Sequence, residues 1–375
     1  MINDTKYITT KLKEKLGQIT LLNNSRPVNL VAIVIGIINS KSVIASDIAS
    51  ELKDDYSEGK EPSKIKRIYR FFGNTQLKPE INYYYFVKYV LENYKPKAQR
   101  GKINIIIDYT TVEDKFLILQ MILKVGKRAI PLWYKIFHYK DKNNQNTEHV
   151  IEGLLEVYSH LENYKYDIVV LADRGFKNTK LFEFVEKKLG WKYCIRCTKD
   201  VGVKIAGNRN IKKLQDIKPR KNKGRHFNSV KLTMKEFECN LSVCRAEGKA
   251  DTWYLIHNID HAMSINEYKK RFEIEEMFRD LKSNGFNLED TWTRDLNYIR
   301  NLYFCLCIAY TWMIILGAFC SKNKKNNLLG AVKKINNKIK RIYSLFTSGL
   351  KWFKRCFNAS IDKYYLCFNF TLYEP

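Results

Sequence analysis

The chain has 375 residues, 45% hydrophobic and 28% charged, a balance that excludes a disordered, collagenous or coiled-coil protein. Lys+Arg 66 against Asp+Glu 39 leaves a formal net charge of +27. Such a surplus repels itself unless a polyanion shares it, so nucleic acid is the first partner to consider, although an AT-rich genome also enriches Lys, Asn, Ile and Tyr.

Residues 1–95 read as helices. Leu12, Leu16, Ile19 and Leu22 have helical spacing. Pro27 opens the apolar run 28–38, and Ser46-Asp47 can cap 48–52. Pro62-Ser63 opens a basic segment, 64–72, with Ile65, Ile68, Tyr69 and Phe72 on one helical face and Lys64, Lys66, Arg67 and Arg70 largely off it. A short, basic, amphipathic helix in a helical domain is a plausible DNA-contact element, against the plainer reading of a solvated face.

A basic linker with Pro and Gly, 95–102, leads into strands. The apolar run 103–107 ends at Asp108. Runs 116–125 and 128–137 follow, with Gly126-Lys127 as the turn between them. Then come a helix at 147–161, a buried strand at 167–172 ending at Asp173, a helix at 180–189 and a strand at 191–197. The order β-β-β-α-β-α-β predicts an α/β fold with a mixed central sheet and helices around it. Residues 199–250 are short, polar and basic, and read as a β-rich insertion, with KPRKNKGR at 218–225. A strand at 253–257 and two long helices, 264–282 and 296–316, follow. Segment 328–345 is basic and amphipathic, and the pattern does not place the last 30 residues.

Nine cysteines, odd in number and scattered, and no opening secretory signal argue for a reducing, cytoplasmic setting. Cys194 and Cys197 form a lone CxxC, a spacing that suits zinc or redox chemistry. No second CxxC or His pair accompanies it, so strand packing is the better reading. Residues 302–319 carry no charge and approach the minimum for a membrane span. Positive residues on both sides give no orientation signal, and a buried core helix is expected rather than a membrane partner.

Asp108 and Asp173 occupy the same kind of place. A carboxylate at the end of a buried strand is held by the sheet and open to solvent, although turn or N-cap aspartates are common there too. At 100° per residue, Tyr268, Arg271, Glu275 and Lys282 fall within one stripe of the helix 264–282, while Ile274, Met277, Phe278 and Leu281 face the core. The plain alternative is a surface row with Glu275–Arg279 as an i,i+4 pair. As a site, the stripe sets one acid among cations that can hold phosphate oxygens. Three acids can bind two divalent cations, and hard oxygen ligands favour Mg²⁺ or Mn²⁺. Together with the charge, this points to a DNA-cutting or DNA-joining enzyme.

The spacing Tyr268-x2-Arg271-x3-Glu275-x6-Lys282, with IIIDYT around Asp108 and VVLADRGF around Asp173, resembles the Tyr-Arg-Glu-Lys signature and aspartate blocks of the "IS four" group of bacterial insertion-sequence transposases. The resemblance runs from about residue 45 to about 315. It implies a ribonuclease H-like catalytic domain with a β-rich insertion between the second Asp and the Glu. The expected organisation is an N-terminal helical DNA-binding domain at 1–100, a catalytic domain at 101–345 interrupted by 199–252, and a tail at 346–375. The resemblance also implies a metal-binding triad of Asp108, Asp173 and Glu275, two metal ions per site, and phosphate contacts by Tyr268, Arg271 and Lys282. Trp253 looks like a residue that stacks on a flipped base during hairpin formation, with a packed strand Trp as its alternative. Phe272 stands where a close relative has Trp. Arg174 is a weaker candidate for phosphate contact. The expected partners are double-stranded DNA, as terminal inverted repeats and target, and a second copy in the DNA complex. A catalytically silent DNA-binding descendant and a non-transposing nuclease are the alternatives.

Overall fold

The computed structural model describes residues 4–52, 59–96, 101–141, 143–207, 210–219, 224–233, 236–245, 251–335, 338–359 and 366–375. The basic runs expected at 95–102 and 218–225 lie partly outside them.

Among the described residues, five helices come first: α1 (Asp4–Ile19), α2 (Arg26–Ser40), α3 (Ala45–Ser50), α4 (Glu61–Phe72) and α5 (Pro79–Glu92), then the short strand β1 (Tyr94–Lys95). Strands β2 (Lys102–Val112), β3 (Phe116–Val125) and β4 (Arg128–His138) form an antiparallel meander. Helix α6 (Thr147–Leu161), strand β5 (Asp167–Ala172), helix α7 (Thr179–Glu183) and strand β6 (Lys192–Cys197) follow. Next come β7 (Gly202–Lys204), β8 (Lys212–Lys213), β9 (Arg225–Leu232), β10 (Phe237–Arg245) and β11 (Thr252–His257). The chain closes with α8 (His261–Lys269), α9 (Glu273–Leu281), α10 (Leu296–Lys322), the hairpin β12 (Val332–Ile335) and β13 (Lys338–Arg341), α11 (Leu345–Ala359) and β14 (Leu372–Tyr373).

Ten strands make one mixed sheet in the order β4-β3-β2-β5-β6-β11-β10-β9-β7-β8. β2, β5 and β6 run parallel, joined through α6 and α7, while the meander and the far side are antiparallel. The segment expected as an insertion is therefore not a separate sheet. β11 pairs with β6, and through it β10, β9, β7 and β8 extend the central sheet.

Helix α10 is the spine of the packing. It has the length and apolarity of a membrane span, yet it is buried inside the fold. Its apolar side chains face α2, α4, α5, α11 and β4, which accounts for a helix apolar all round. Asn301 of α10 donates to the backbone oxygens of Phe72 (2.7 Å) and Asn74 (3.0 Å), tying the end of α4 to the sheet layer. The unassigned C-terminus includes α11, which crosses α10 closely, and β14, which pairs in parallel with β1. A Cβ at Gly317 would overlap the Leu345 carbonyl, and one at Gly349 would overlap that of Met313. Gly317→Ala should therefore cost about 1–3 kcal/mol through overpacking. An unchanged urea midpoint would contradict this crossing.

Three expectations are corrected. Residues 264–282 are not one helix, because a 3-10 turn at Lys270–Phe272 separates α8 from α9. Segment 328–345 holds the hairpin β12–β13 rather than a continuous amphipathic element. In α4, Lys64 points inward and Tyr69 outward. The buried row is Lys64, Ile68, Phe71 and Phe72, and the Lys64 ammonium donates to the Leu52 carbonyl (2.6 Å) just beyond the end of α3.

Candidate active site

Sheet register brings the first two acids together. Ile107 of β2 pairs with Ala172 at the end of β5, and Asp108 and Asp173 are the next residue on each chain. Asp108 is not at a strand end, as expected from its apolar run. β2 continues to Val112 as a hairpin arm with β3, and it is the pairing with β5 that stops. Asp173 accepts from the Gly175 backbone N–H (2.5 Å) and caps the short turn Arg174–Phe176. Arg174 is exposed beside it.

The third acid arrives on α9. Ile274, Met277, Phe278 and Leu281 are buried as the periodicity predicts, and Glu275 is turned to solvent. Its partner is Arg271, not Arg279, which pairs with Glu276 (2.7 Å). The Arg271 guanidinium is 7% exposed and bridges two candidate ligands: Nη1 donates to Asp108 Oδ2 (2.9 Å) and Nη2 to Glu275 Oε1 (2.5 Å). Burial works against its charge, and Tyr268, Asp108 and Glu275 outweigh that and hold its pKa above the usual value.

Asp173 and Glu275 both lie near enough to Asp108 to act on its charge. Burial pushes the Asp108 carboxyl up to about 6. Arg271 pulls it down, and the negative charges of Asp173 and Glu275 push it up again. A folded-state value above the ordinary one means that the folded protein holds this proton more tightly than the unfolded chain does. Stability from this group is full below about pH 4 and is lost as pH rises through about 6. Asp108→Asn should thus stabilise the metal-free protein at pH 8 by about 1–3 kcal/mol, with the gain vanishing near pH 4. Urea midpoints at the two pH values test this, and a variant destabilised at pH 8 would contradict it.

Among the described residues, no three His, Cys, Asp or Glu side chains stand close enough to share one metal ion. At the site the Arg271 guanidinium sits between Asp108 and Glu275 and bonds to both. The donor set nevertheless fits a hard divalent cation. Its oxygens are carboxylates, and the position between two of them already holds positive charge.

The remaining candidates surround Arg271. Tyr268 is buried (1% exposed), and burial pushes its phenol up. Trp253 is also buried, its ring 5.1 Å from Tyr268 in an edge-on contact and 5.9 Å from Phe272. The packed reading of Trp253 therefore describes this state, and the face that would receive a base is covered. The Arg271 guanidinium lies 4.8 Å from the Phe272 ring centre. Lys282 ends α9 and pairs with Glu289 (2.9 Å). Lys66, Arg67 and Arg70 lie on the N-terminal helix α4, and Lys64 is removed from any surface role by its burial.

Sequence reasoning missed the groups that fix this helix pair against the sheet. Glu267 accepts from Asn104 of β2 (2.8 Å) and pairs with Lys102 (3.1 Å) and Lys270 (2.6 Å). Asp280, 4% exposed, pairs with Arg128 of β4 (2.8 Å), and Tyr310 of α10 donates to it (3.4 Å). The signal for the first was present, because Asn104 interrupts an otherwise apolar strand and a buried amide needs a partner.

The mixed sheet sets Asp108 and Asp173 on neighbouring strands, and α9 brings Glu275 to the same buried arginine as Asp108. The chain belongs to the family described as "Transposase DDE domain", which matches residues 100–312 and so spans every part of this site. No curated protein matches the sequence.

Proposed function

We propose that this transposase domain belongs to the "IS four" group and is a cut-and-paste DNA transposase with Asp108, Asp173 and Glu275 as its catalytic, metal-binding acids. The observation that carries this reading is that Asp108 and Glu275 share one buried arginine while sheet register sets Asp173 beside Asp108. The sheet supports a ribonuclease H-like core, because an antiparallel meander, β4-β3-β2, continues into the parallel strands β5 and β6.

Two Mg²⁺ or Mn²⁺ ions, when bound by the triad, supply activation of an attacking oxygen and charge stabilisation of the leaving one. The protein's own side chains do the rest. Arg271 leaves its two carboxylates and turns to a DNA phosphate, which a guanidinium fork can hold with paired hydrogen bonds. Lys282 contacts a neighbouring phosphate, with Tyr268 and Arg174 flanking. Trp253 supports Tyr268 and Phe272 from below and reaches an extruded base only if those rings part. The substrate is duplex DNA at the terminal repeats, cut by a homodimer in the cytoplasm, with a hairpin formed by the first 3′-hydroxyl.

The test is a time course on duplex DNA bearing the element's end, with nicked and hairpin products resolved on a denaturing gel. Nicks followed by hairpins support the full mechanism. Nicks without hairpins remove the hairpin step, and no metal-dependent cleavage removes the reading itself.

A further inference from the structure

Away from the acids, three histidines gather where β9, β10 and β11 meet the start of α8. The His261 ring lies 5.4 Å from that of His226 and 5.3 Å from that of His257. Ser242 of β10 joins the group. Its hydroxyl is 2.8 Å from His226 Nδ1, 2.8 Å from His257 Nε2 and 2.8 Å from the Ser264 hydroxyl of α8. Ser264 donates to the His261 carbonyl (2.8 Å), and His257 Nδ1 faces the Ile259 carbonyl (3.1 Å). The Cys194 thiol of β6, opposite His257 in register, donates to the Ser264 carbonyl (3.6 Å). Ser242, His257 and Ser264 are fully buried, so no water completes their bonds from outside.

The five contacts made by these hydroxyls and imidazoles need five protons. The neutral side chains bring four, one each from Ser242, Ser264, His226 and His257. A fifth enters only as an imidazolium at His257, and one further hydrogen bond does not offset the burial of a charge. Burial and the His261 ring hold the His257 imidazole down at about 4, against the opposite pull of the Ile259 carbonyl and Asp260. Burial and His261 hold the His226 imidazole down as well. The buried Nδ1 of His261 has no partner among the described residues. Glu183, Glu186, Lys187, Glu236 and Glu238 line an open cleft that also touches His257, where water screens their charges.

We propose that the Ser242–His257–Ser264 network is an acid-released joint, which holds the start of α8 to β10 and β11 while the three imidazoles are neutral and frees that helix from the sheet when they take up protons. An imidazole set free in water accepts a proton that the packed cluster refuses, so acid favours the open form. The folded value of His257 lies below the ordinary one of 6.5. The hold is therefore full above about pH 6.5 and is lost as pH falls through that value toward 4. Helix α8 carries Glu267 and Tyr268, so release loosens one wall of the candidate site. The joint is independent of the reaction assigned to the acids, and its failure would leave that reading standing.

Deuterium exchange of the full, metal-free chain at about pH 7 and about pH 5, corrected for intrinsic exchange rates, reads the opening of α8 against that of the core helix α10. The α8 amides are expected to open roughly ten- to thirtyfold more at the lower pH, with no such rise in α10. An unchanged α8 would overturn the joint. So would a rise shared equally by α10, since acid would then be loosening the whole fold. His257→Gln keeps a hydrogen-bonding side chain that takes no proton, and its α8 should lose most of the rise. The full rise in that variant, folded at pH 7, would overturn the proposal. His226→Gln, at an exposed position, replaces it if His257→Gln does not fold. It removes one of the three charges and should cut the rise severalfold, and an undiminished rise there would equally overturn the joint.

Discussion

Asp108→Asn, Asp173→Asn and Glu275→Gln are each expected to reduce metal-dependent cleavage of an end-bearing duplex about a thousandfold or more, with duplex binding kept within a few-fold. Each change keeps the side chain's size and removes one anionic ligand. Loss of several kcal/mol of metal-borne transition-state stabilisation corresponds to that factor. Binding survives because the positive groups that hold phosphate are untouched. Urea midpoints of the metal-free variants separate a catalytic loss from a loss of fold, and the raised carboxyl of Asp108 makes Asp108→Asn the variant expected to keep its stability above pH 6. A variant that cleaves within about tenfold of the parent would remove its residue from the triad.

The second large effect concerns Arg271. Its guanidinium is buried and neutralises Asp108 and Glu275 at once. Arg271→Ala leaves two facing carboxylates without their cation. The metal-free protein should lose about 3–5 kcal/mol, the cost of removing one partner from a buried ionic group. The same change frees both carboxylates, so Mg²⁺ should raise the variant's thermal midpoint more than the parent's. Cleavage should nonetheless fall about a hundredfold or more, because no fork remains to hold the phosphate. Arg271→Lys supplies one compact charge that cannot span both acids, and should recover part of the stability with little of the activity. A variant with undiminished cleavage, or with no added response to Mg²⁺, would mean that Arg271 neither guards the acids nor serves the substrate.

The two aspartates were legible because each follows an apolar run that reads as a buried strand. What the runs do not carry is register. That Ile107 pairs with Ala172, and so sets the acids side by side, depends on a crossover through α6 that local pattern cannot measure. The buried face of α9, Ile274, Met277, Phe278 and Leu281, was legible from 3.6-residue spacing. The break at Lys270–Phe272 was not, since nothing in the residue types there opposes helix; contacts of Glu267 with β2 and of Asp280 with β4 pull the two halves separately. Lys64 shows the limit of hydrophobicity as a guide, because a long aliphatic stem can enter a core when a backbone carbonyl, here that of Leu52, receives its ammonium. The β-rich segment was identified, but its continuity with the central sheet depends on long-range pairing of β11 with β6. The aromatic C-terminus was unreadable by period, because it packs on α10 from several sides at once.

The central claim is that Asp108, Asp173 and Glu275 share metal ions once DNA draws Arg271 away. It is tested most directly by a Mn²⁺ anomalous difference map of the protein bound to an uncleavable end duplex. The account predicts two peaks about 3.5–4 Å apart among the three carboxylates, with the Arg271 guanidinium on a phosphate. Peaks away from these acids, or Arg271 still bridging Asp108 and Glu275 with DNA and metal present, would contradict it.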